Sequence, residues 1–297
     1  MTRTLALVTA RAARALDEDL APLAAALAAA GARAAIADWD DPHCDWTRFD
    51  AAVLRSAWDY HERLPEFFAW LERTARATLL LNPLPVVRWS LDKHYLGELA
   101  RAGAPVVPTR YVEPGEDPGA VLADFLGSDP CRELVVKPAV GAGSRDARRH
   151  ARGNRQEISD HMRGLLETGR SAMLQPYLEG VDRDGETALM FIDGRFSHAI
   201  RKGALLPAGA PSTAALFAPE DIGARTPAPD ELAAGERILA AVPFGTLTYA
   251  RVDLLRDAGG VPRLLELELA EPSFYFAHAP GSAQRFAAAL LARLAPP

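Results

Sequence analysis

Apolar positions along this chain recur with two periods, and the switches between them outline its elements. Leu5–Thr9 is a short apolar run read as a strand, and Asp19–Ala30 is an alanine-rich helix ended by Gly31. Ala32–Ala37 and Ala51–Leu54 read as further strands, and Leu64–Arg76 as a helix before a short strand at Leu79–Leu81. This strand–helix alternation predicts an α/β fold that starts with a parallel sheet covered by helices on both faces. Ligands of such sheets sit beyond the carboxyl ends of the strands. That rule draws attention to Arg55-Ser56-Ala57-Trp58-Asp59-Tyr60, read either as part of a substrate pocket or as an ordinary loop with a buried Trp.

Asn82-Pro83-Leu84-Pro85 is a breaker cluster and marks a first boundary. A helix is expected over Ser90–Ala102, stopped by Gly103, and then a proline-punctuated stretch with one short strand. From Leu134 the pattern becomes strand (Leu134–Lys137), glycine-rich turn, helix (Arg155–Thr168) and strand (Ala172–Leu178). A hairpin follows over Glu186–Ile192 and Arg195–Lys202 around Asp193-Gly194. A looser section at Pro207–Pro229, a helix and a last hairpin complete the chain.

That last hairpin is the most informative feature. Tyr249–Arg256 and Val261–Glu268 flank Gly259-Gly260, a strong two-residue turn signal. Antiparallel pairing about this turn sets Asp253 opposite Glu266 and Arg251 opposite Glu268. Period-two alternation then gathers these four side chains on one face. Ala250, Val252, Leu254, Leu265, Leu267 and Leu269 form the other, an apolar face that must cover the core. Like charges directly opposite each other destabilise a sheet, so Asp253 and Glu266 call for a cation. Carboxylate oxygens are what Mg²⁺ takes, usually together with substrate phosphates. A solvated outer face is the ordinary reading of one charged strand; the clustering of acids over so clean an apolar face favours the metal.

The same register logic, with Asp193-Gly194 as a two-residue loop, pairs Glu186 with Arg201. It leaves Lys202 and Arg251 as further cations beside the acids, the arrangement that stabilises a transferring phosphoryl group. Val135-Val136-Lys137-Pro138 places a lysine at a strand end, and the loop Gly141–Arg145 behind it has glycines that let backbone N–H groups approach phosphates. No P-loop, dinucleotide fingerprint, nucleophile elbow or H-E-x-x-H motif occurs, and the seven histidines lack ligand spacing.

Composition narrows the field further. Charged residues are 24% and hydrophobic ones 49% of 297, ordinary for a globular protein with ample core. A net charge of −6 gives no reason to expect nucleic acid or an anionic membrane as partner. The two cysteines, Cys44 and Cys131, form no CxxC pair, which argues against a disulfide framework or zinc site. No apolar run approaches the roughly 18 residues of a membrane span, and the N-terminal run is too short for a signal sequence. The expectation is a cytoplasmic protein.

The order of these elements resembles the ATP-grasp superfamily, in its glutathione synthetase-like branch. The matching series is Lys93, Lys137 with the Gly-Ser loop, Gln175-Pro176-Tyr177-Leu178, Asp184-Gly185-Glu186, Arg201-Lys202, Arg251-x-Asp253, Glu266-x-Glu268 and Glu271-Pro272-Ser273. Val181–Glu186 and Ser197–Lys202 are similar to the D-cycloserine-forming cyclo-ligases of that superfamily. The resemblance implies a substrate-side domain at 1–90, a central ATP-grasp subdomain with a lid at 91–180 and a C-terminal one with the metal site at 181–297, with nucleotide between the last two. It implies ATP and Mg²⁺, with Mn²⁺ as an alternative. Lys93 and Lys137 would contact phosphates from two sides, Gly141, Gly143 and Ser144 would close over them, and Gln175, Tyr177 and Leu178 would hold adenine, with Glu179 or Glu186 near the ribose. Asp253, Glu266 and Glu268 would bind metal; Glu268 stands where this branch usually has Asn. Arg201, Lys202 and Arg251 would be catalytic, and Arg55, Ser56, Lys202 and Ser273 would orient a substrate carboxylate.

The function so implied is an ADP-forming ligase that activates a small amino-acid-like carboxylate as an acyl phosphate, captured by an amine of the same molecule. Intermolecular ligation, a nucleotide-binding protein without turnover and an NAD-dependent oxidoreductase are the rival readings. The resemblance is also compatible with a homo-oligomer, although no sequence feature shows an interface.

Overall fold

The computed structural model describes residues 2–206, 216 and 220–295. Most of the looser section expected at Pro207–Pro229, residues 207–215 and 217–219, therefore lies outside the described residues. The strands among the described residues form three sheets.

The first sheet is parallel, in the order β2-β1-β3-β4, with β1 Thr4–Thr9, β2 Arg33–Asp38, β3 Ala51–Ser56 and β4 Leu79–Leu81. Helices α1 (Leu20–Ala29) and α2 (Leu64–Ala77) link its strands. Alternation decides which helix each strand residue meets. Leu5 and Leu7 pack with Leu23 and Leu27 of α1, while Ala6 and Val8 pack with Phe67, Trp70 and Leu71 of α2. Each such leucine, fully buried, contributes about 1.5–3 kcal/mol.

The breaker cluster at 82–85 starts a helix. Pro83 caps α3 (Leu84–Ser90), which has Pro in its first turn, where a missing N–H costs nothing. The single helix expected over Ser90–Ala102 is interrupted: α4 begins only at Tyr95 and ends at Arg101. Lys93 thus sits in the turn between two helices rather than on one. Its N–H donates to Ala139 O (3.0 Å) and its carbonyl accepts from the Tyr111 hydroxyl (2.7 Å).

The second sheet is antiparallel, in the order β5-β8-β6-β7: β5 Arg110–Val112, β6 Glu133–Pro138, β7 Arg148–Ala151 and β8 Ala172–Pro176. Helices α5 (Pro118–Ser128) and α6 (Arg155–Glu167) cover one face with Leu122, Phe125, Ile158 and Met162 against Leu134, Val136 and Leu174. Val135, Lys137 and Gln175 are the odd members of the same strands and line a cavity on the other face. Strand β7 follows the glycine-rich turn without any sequence signal that announced it.

The third sheet is antiparallel too, in the order β11-β10-β9-β12-β13. The short helix α7 (Gly180–Asp184) leads into β9 (Glu186–Ile192), which is buried throughout, and β10 (Arg195–Lys202) and β11 (Ile222–Arg225) extend one side. Helix α8 (Pro229–Ala240) precedes β12 (Tyr249–Arg256) and β13 (Pro262–Glu268), and α9 (Ser282–Ala292) packs back on α1. Gly235 of α8 is a close-approach glycine: a Cβ there would stand 2.7 Å from Leu189 Cδ1.

Both hairpins differ from the expected register, through β-bulges. In the first, pairing near the turn matches expectation (Phe196 opposite Phe191), then shifts between Phe196 and His198, so that Lys202 faces Glu186 and Arg201 faces Thr187. In the second, Arg251–Glu268 and Asp253–Glu266 pair as expected. The register then shifts beyond Asp253, to Leu254 opposite Leu264. The turn is accordingly longer than Gly259-Gly260: Asp257 N–H donates to Val261 O (3.0 Å), and Gly260 has φ +79°. Leu264 therefore takes the core position expected for Leu265. Leu265 instead joins Leu255, Val135, Tyr177 and Val181 in a separate apolar cluster.

Candidate functional site

A cavity of about 510 Å³ lies where the three sheets approach one another. Its walls have distinct chemistry. Residues Val135, Gln175, Tyr177, Leu178, Leu255 and Leu265 give an apolar end with few polar groups. The middle carries Lys93, Lys137 and the loop Gly141–Arg145 on one side and Glu186, Lys202, Arg251, Asp253, Glu266 and Glu268 on the other. Leu16–Asp19, Trp58, Tyr60, Ser273 and Tyr275 close the remaining end.

The acidic face of β12 and β13 is neutralised by cations at every carboxylate. Asp253, 1% exposed, accepts from Arg251 Nε (2.9 Å) and Nη2 (2.9 Å) and from Lys202 Nζ (2.8 Å). Lys202 also pairs with Glu186, and Arg251 with Glu268. Glu266 meets Lys93 Nζ at 3.1 Å. These pairings set the charge states. Burial alone would raise the Asp253 carboxyl, but Arg251 and Lys202 hold it well below the usual carboxylate range. Burial would likewise raise Glu266, and Lys93 and Lys137 bring it below its ordinary value. Burial raises Glu186 to about 7 against the pull of Lys202, and Glu268 to about 8 against that of Arg251. Lys137 is lowered to about 8 by burial, partly offset by Glu266. A desolvated ammonium in such a wall favours an anionic ligand.

Among the described residues, no three carboxylates or other ligating side chains converge on one point that would hold a metal. The donor set nevertheless suits a hard cation. Asp253 and Glu266 are cross-strand partners, Glu268 lies two residues along the same face, all three line the cavity, and all offer oxygen. Their present partners are the cations Arg251, Lys202 and Lys93, which a bound metal would compete with.

The glycine loop bends sharply: Gly143, Ser144 and Asp146 all have positive φ (63°, 58° and 58°). It is held against the parallel sheet as well. Gly141 O accepts from Lys93 Nζ (2.8 Å) and from the Tyr60 hydroxyl (3.3 Å), and Arg145 pairs with Glu62.

Most of the residues singled out from the sequence line this one cavity: Lys93, Lys137, Gly141, Gly143, Ser144, Gln175, Tyr177, Leu178, Glu186, Lys202, Arg251, Asp253, Glu266, Glu268 and Ser273. Four do not. Arg201, turned away by the bulge in β10, donates from Nε to Asp184 O (3.2 Å) and pairs with Asp221 (3.2 Å). Glu179 is an exposed residue at the start of α7. Arg55 and Ser56 are fully buried behind the wall. Arg55 Nη2 donates to Pro272 O (2.9 Å), its guanidinium lies 5.5 Å from the Phe274 and Phe286 rings, and Ser56 shares a 2.7 Å hydrogen bond with Thr9. These two hold the loop and strand that present Ser273 and Trp58.

Sequence reasoning missed the acidic segment Asp17–Asp19, which looked like a helix start. Asp19 accepts from the N–H groups of Phe274 (2.5 Å), Tyr275 (3.0 Å) and Phe276 (2.9 Å), so it anchors the loop after β13. Glu271 was legible only as part of the series. It lines the cavity at 9% exposure, and burial raises its carboxyl to about 7.

Comparison with known proteins follows the same outline. A sequence profile described as "D-cycloserine synthetase DcsG, N-terminal domain" matches residues 5–82. The cycloserine biosynthesis protein DcsG of Streptomyces lavendulae is 45% identical over 98% of this chain and 99% of its own length. The crystal structure of D-cycloserine synthetase DcsG superposes with a TM-score of 0.93 at 44% identity, covering 98% of this chain and 100% of that one. D-alanine–D-alanine ligase from Bacillus anthracis shares the fold at 16% identity, with a TM-score of 0.70 over 99% of this chain and 97% of its own. The ATP-grasp ligase PsnB does so at 19%, with a TM-score of 0.66 over 99% and 100%. This chain is therefore a carbon–nitrogen ligase that belongs to the DcsG family and has the fold of the ATP-grasp ligases.

Proposed function

We propose that the chain uses ATP and Mg²⁺ to activate the carboxylate of a small amino-acid-like substrate, which a nitrogen of the same molecule then captures to close a ring. The carrying observation is the single cavity in which desolvated lysines, a glycine loop and the Asp253–Glu266 pair face one another. The 45% identical relative is named for cycloserine biosynthesis, and structures in the same fold are described with Mg and ADP or with ATP. In this reading the polypeptide divides at about 1–90, 91–180 and 181–297, with the nucleotide between the last two parts.

Adenine would occupy the apolar end, between Tyr177–Leu178 and Leu255–Leu265, with Glu186 toward the ribose. Lys93 and Lys137 would grip the phosphates from two sides, under Gly141, Gly143 and Ser144. Asp253, Glu266 and Glu268 would hold Mg²⁺, or Mn²⁺ in its place, which neutralises phosphate charge when bound. The substrate carboxylate attacks the γ-phosphorus and ADP leaves; Arg251 and Lys202 stabilise the charge that develops. The substrate nitrogen then attacks the acyl phosphate, and inorganic phosphate departs. Holding both ends of one molecule favours ring closure by orientation. The Gly141–Arg145 loop, drawn over the cavity by Tyr60 and Glu62, keeps water from the acyl phosphate.

Incubation with ATP, Mg²⁺, hydroxylamine and O-ureido-D-serine, the substrate implied by the resemblance to D-cycloserine-forming cyclo-ligases, tests this. ADP release with a trapped hydroxamate is expected, and without hydroxylamine a product lighter than the substrate and no requirement for a second amine. Product formation that depends on an added amine would turn the reading to intermolecular ligation.

A further inference from the structure

The wall formed by Leu16–Asp19 has three acidic residues that line the cavity, and their hydrogen bonds separate them. Asp19 is committed to the backbone of Phe274–Phe276. Glu18 is exposed. Asp17 differs from both: it is only 8% exposed, its Oδ1 accepts from Asp19 N–H (2.9 Å), and its buried Oδ2 has no hydrogen-bond partner among the described residues. Among the described residues no Lys or Arg pairs with it. A buried carboxylate oxygen left without a donor loses its hydration with nothing to replace it, and native proteins rarely tolerate that without a purpose.

We infer that Asp17 is a specificity-determining residue that receives an ammonium group of the substrate. A carboxylate can only accept, and its charge makes a cationic donor the best partner. Glu18 beside it strengthens the negative potential of this wall. Of the other cations lining the same cavity, Arg145 pairs with Glu62, Lys93, Lys202 and Arg251 pair with the acids of the third sheet, and Lys137 interacts with Glu266. Ser273 and Tyr275 lie on the loop that Asp19 anchors, so one short segment ties the ammonium-reading wall to the side where the substrate carboxylate would be activated. The substrate class is then an α-amino acid with its amine free and charged, and this deepens the ligase reading on which it rests.

The test compares ADP release with O-ureido-D-serine and with its counterpart carrying a hydroxyl in place of the α-ammonium, in the wild type and in Asp17→Asn. Asn keeps a carbonyl oxygen for the Asp19 N–H, so the turn is retained. Expected is a rise of tenfold or more in KM for O-ureido-D-serine with kcat within threefold. The hydroxyl counterpart and ATP should keep their wild-type KM. An unchanged KM, or an equal loss with both acids, overturns the inference while leaving the ligase reading intact. Absence of ADP release by the wild type with either acid removes the ligase reading, and the inference with it.

Discussion

Lys202 Nζ stands 2.8 Å from Asp253 Oδ2, although the two residues are 51 apart in sequence and β9 runs between their strands. The contact exists because the bulge in β10 turns Lys202, rather than Arg201, onto the face that carries Glu186 and Asp253. One ammonium thus bridges two buried carboxylates, and Asp253 is shared with Arg251.

Lys202→Ala should therefore act on both stability and turnover. Removing one partner of a buried ion network leaves uncompensated charge and typically costs about 3–5 kcal/mol. Arg251 still satisfies Asp253, so a loss of about 3 kcal/mol is expected in denaturant unfolding. ADP release should fall by about 10²–10³, the usual effect of deleting one preorganised donor at a developing charge. Turnover at the wild-type rate would remove Lys202 from the catalytic group.

Arg201→Ala is the natural contrast. Its guanidinium binds Asp184 O and a largely exposed Asp221, and it lies off the cavity wall. Exposed ion pairs contribute about 0–1 kcal/mol, so ADP release within about threefold of wild type is expected. A drop comparable to that of Lys202→Ala would show that Arg201 reaches the reacting phosphoryl after all.

The neighbouring arginine and lysine also show how far the sequence can be read. Period-two alternation placed Arg251, Asp253, Glu266 and Glu268 together because that part of the hairpin is regular, and Lys137 was legible as a lysine at a strand end before a glycine loop. It failed at the bulges, since an inserted residue reverses every side chain beyond it and has no glycine or proline here to announce it. Leu265 and Arg201 changed faces for that reason. The buried Arg55 was misread as substrate-facing because only the third dimension reveals the rings of Phe274 and Phe286 against its guanidinium. Asp17 was overlooked because acids near a helix start are ordinary, and only packing shows that one of its oxygens has no donor among the described residues.

Glu266→Gln tests the metal assignment directly. The carboxylate is held below its ordinary pKa by Lys93 and Lys137 despite burial, so it carries charge across the working pH range. The amide keeps an oxygen for Lys93 and nearly the same shape, so the fold should survive, as circular dichroism and thermal unfolding will show. ADP release should fall by at least about 10² and recover little at high Mg²⁺. An unimpaired rate would refute the assignment.

Acid should loosen the segment around the glycine loop before it unfolds the rest. His150 Nε2 and His161 Nδ1 lie 3.0 Å apart, and His161 Nε2 contacts Asp146 O at 3.1 Å, which ties β7 and α6 to the glycine loop. Burial is the main cause that lowers both imidazoles, and His150 and Arg148 add to it at His161, which is brought to about 4. Unfolded histidine titrates near 6.5. Groups depressed in the fold contribute their full stability above that value and lose it as pH falls toward about 4, because the open state takes up the protons first. With part of the pair in contact with solvent, a local loss of about 1–2 kcal/mol between pH 7 and 5 is expected. Hydrogen exchange of residues 146–167, corrected for the intrinsic pH dependence of exchange, should reveal it. In His161→Phe the extra acid sensitivity should vanish, whereas a variant as acid-sensitive as the wild type would assign the effect to carboxylates instead.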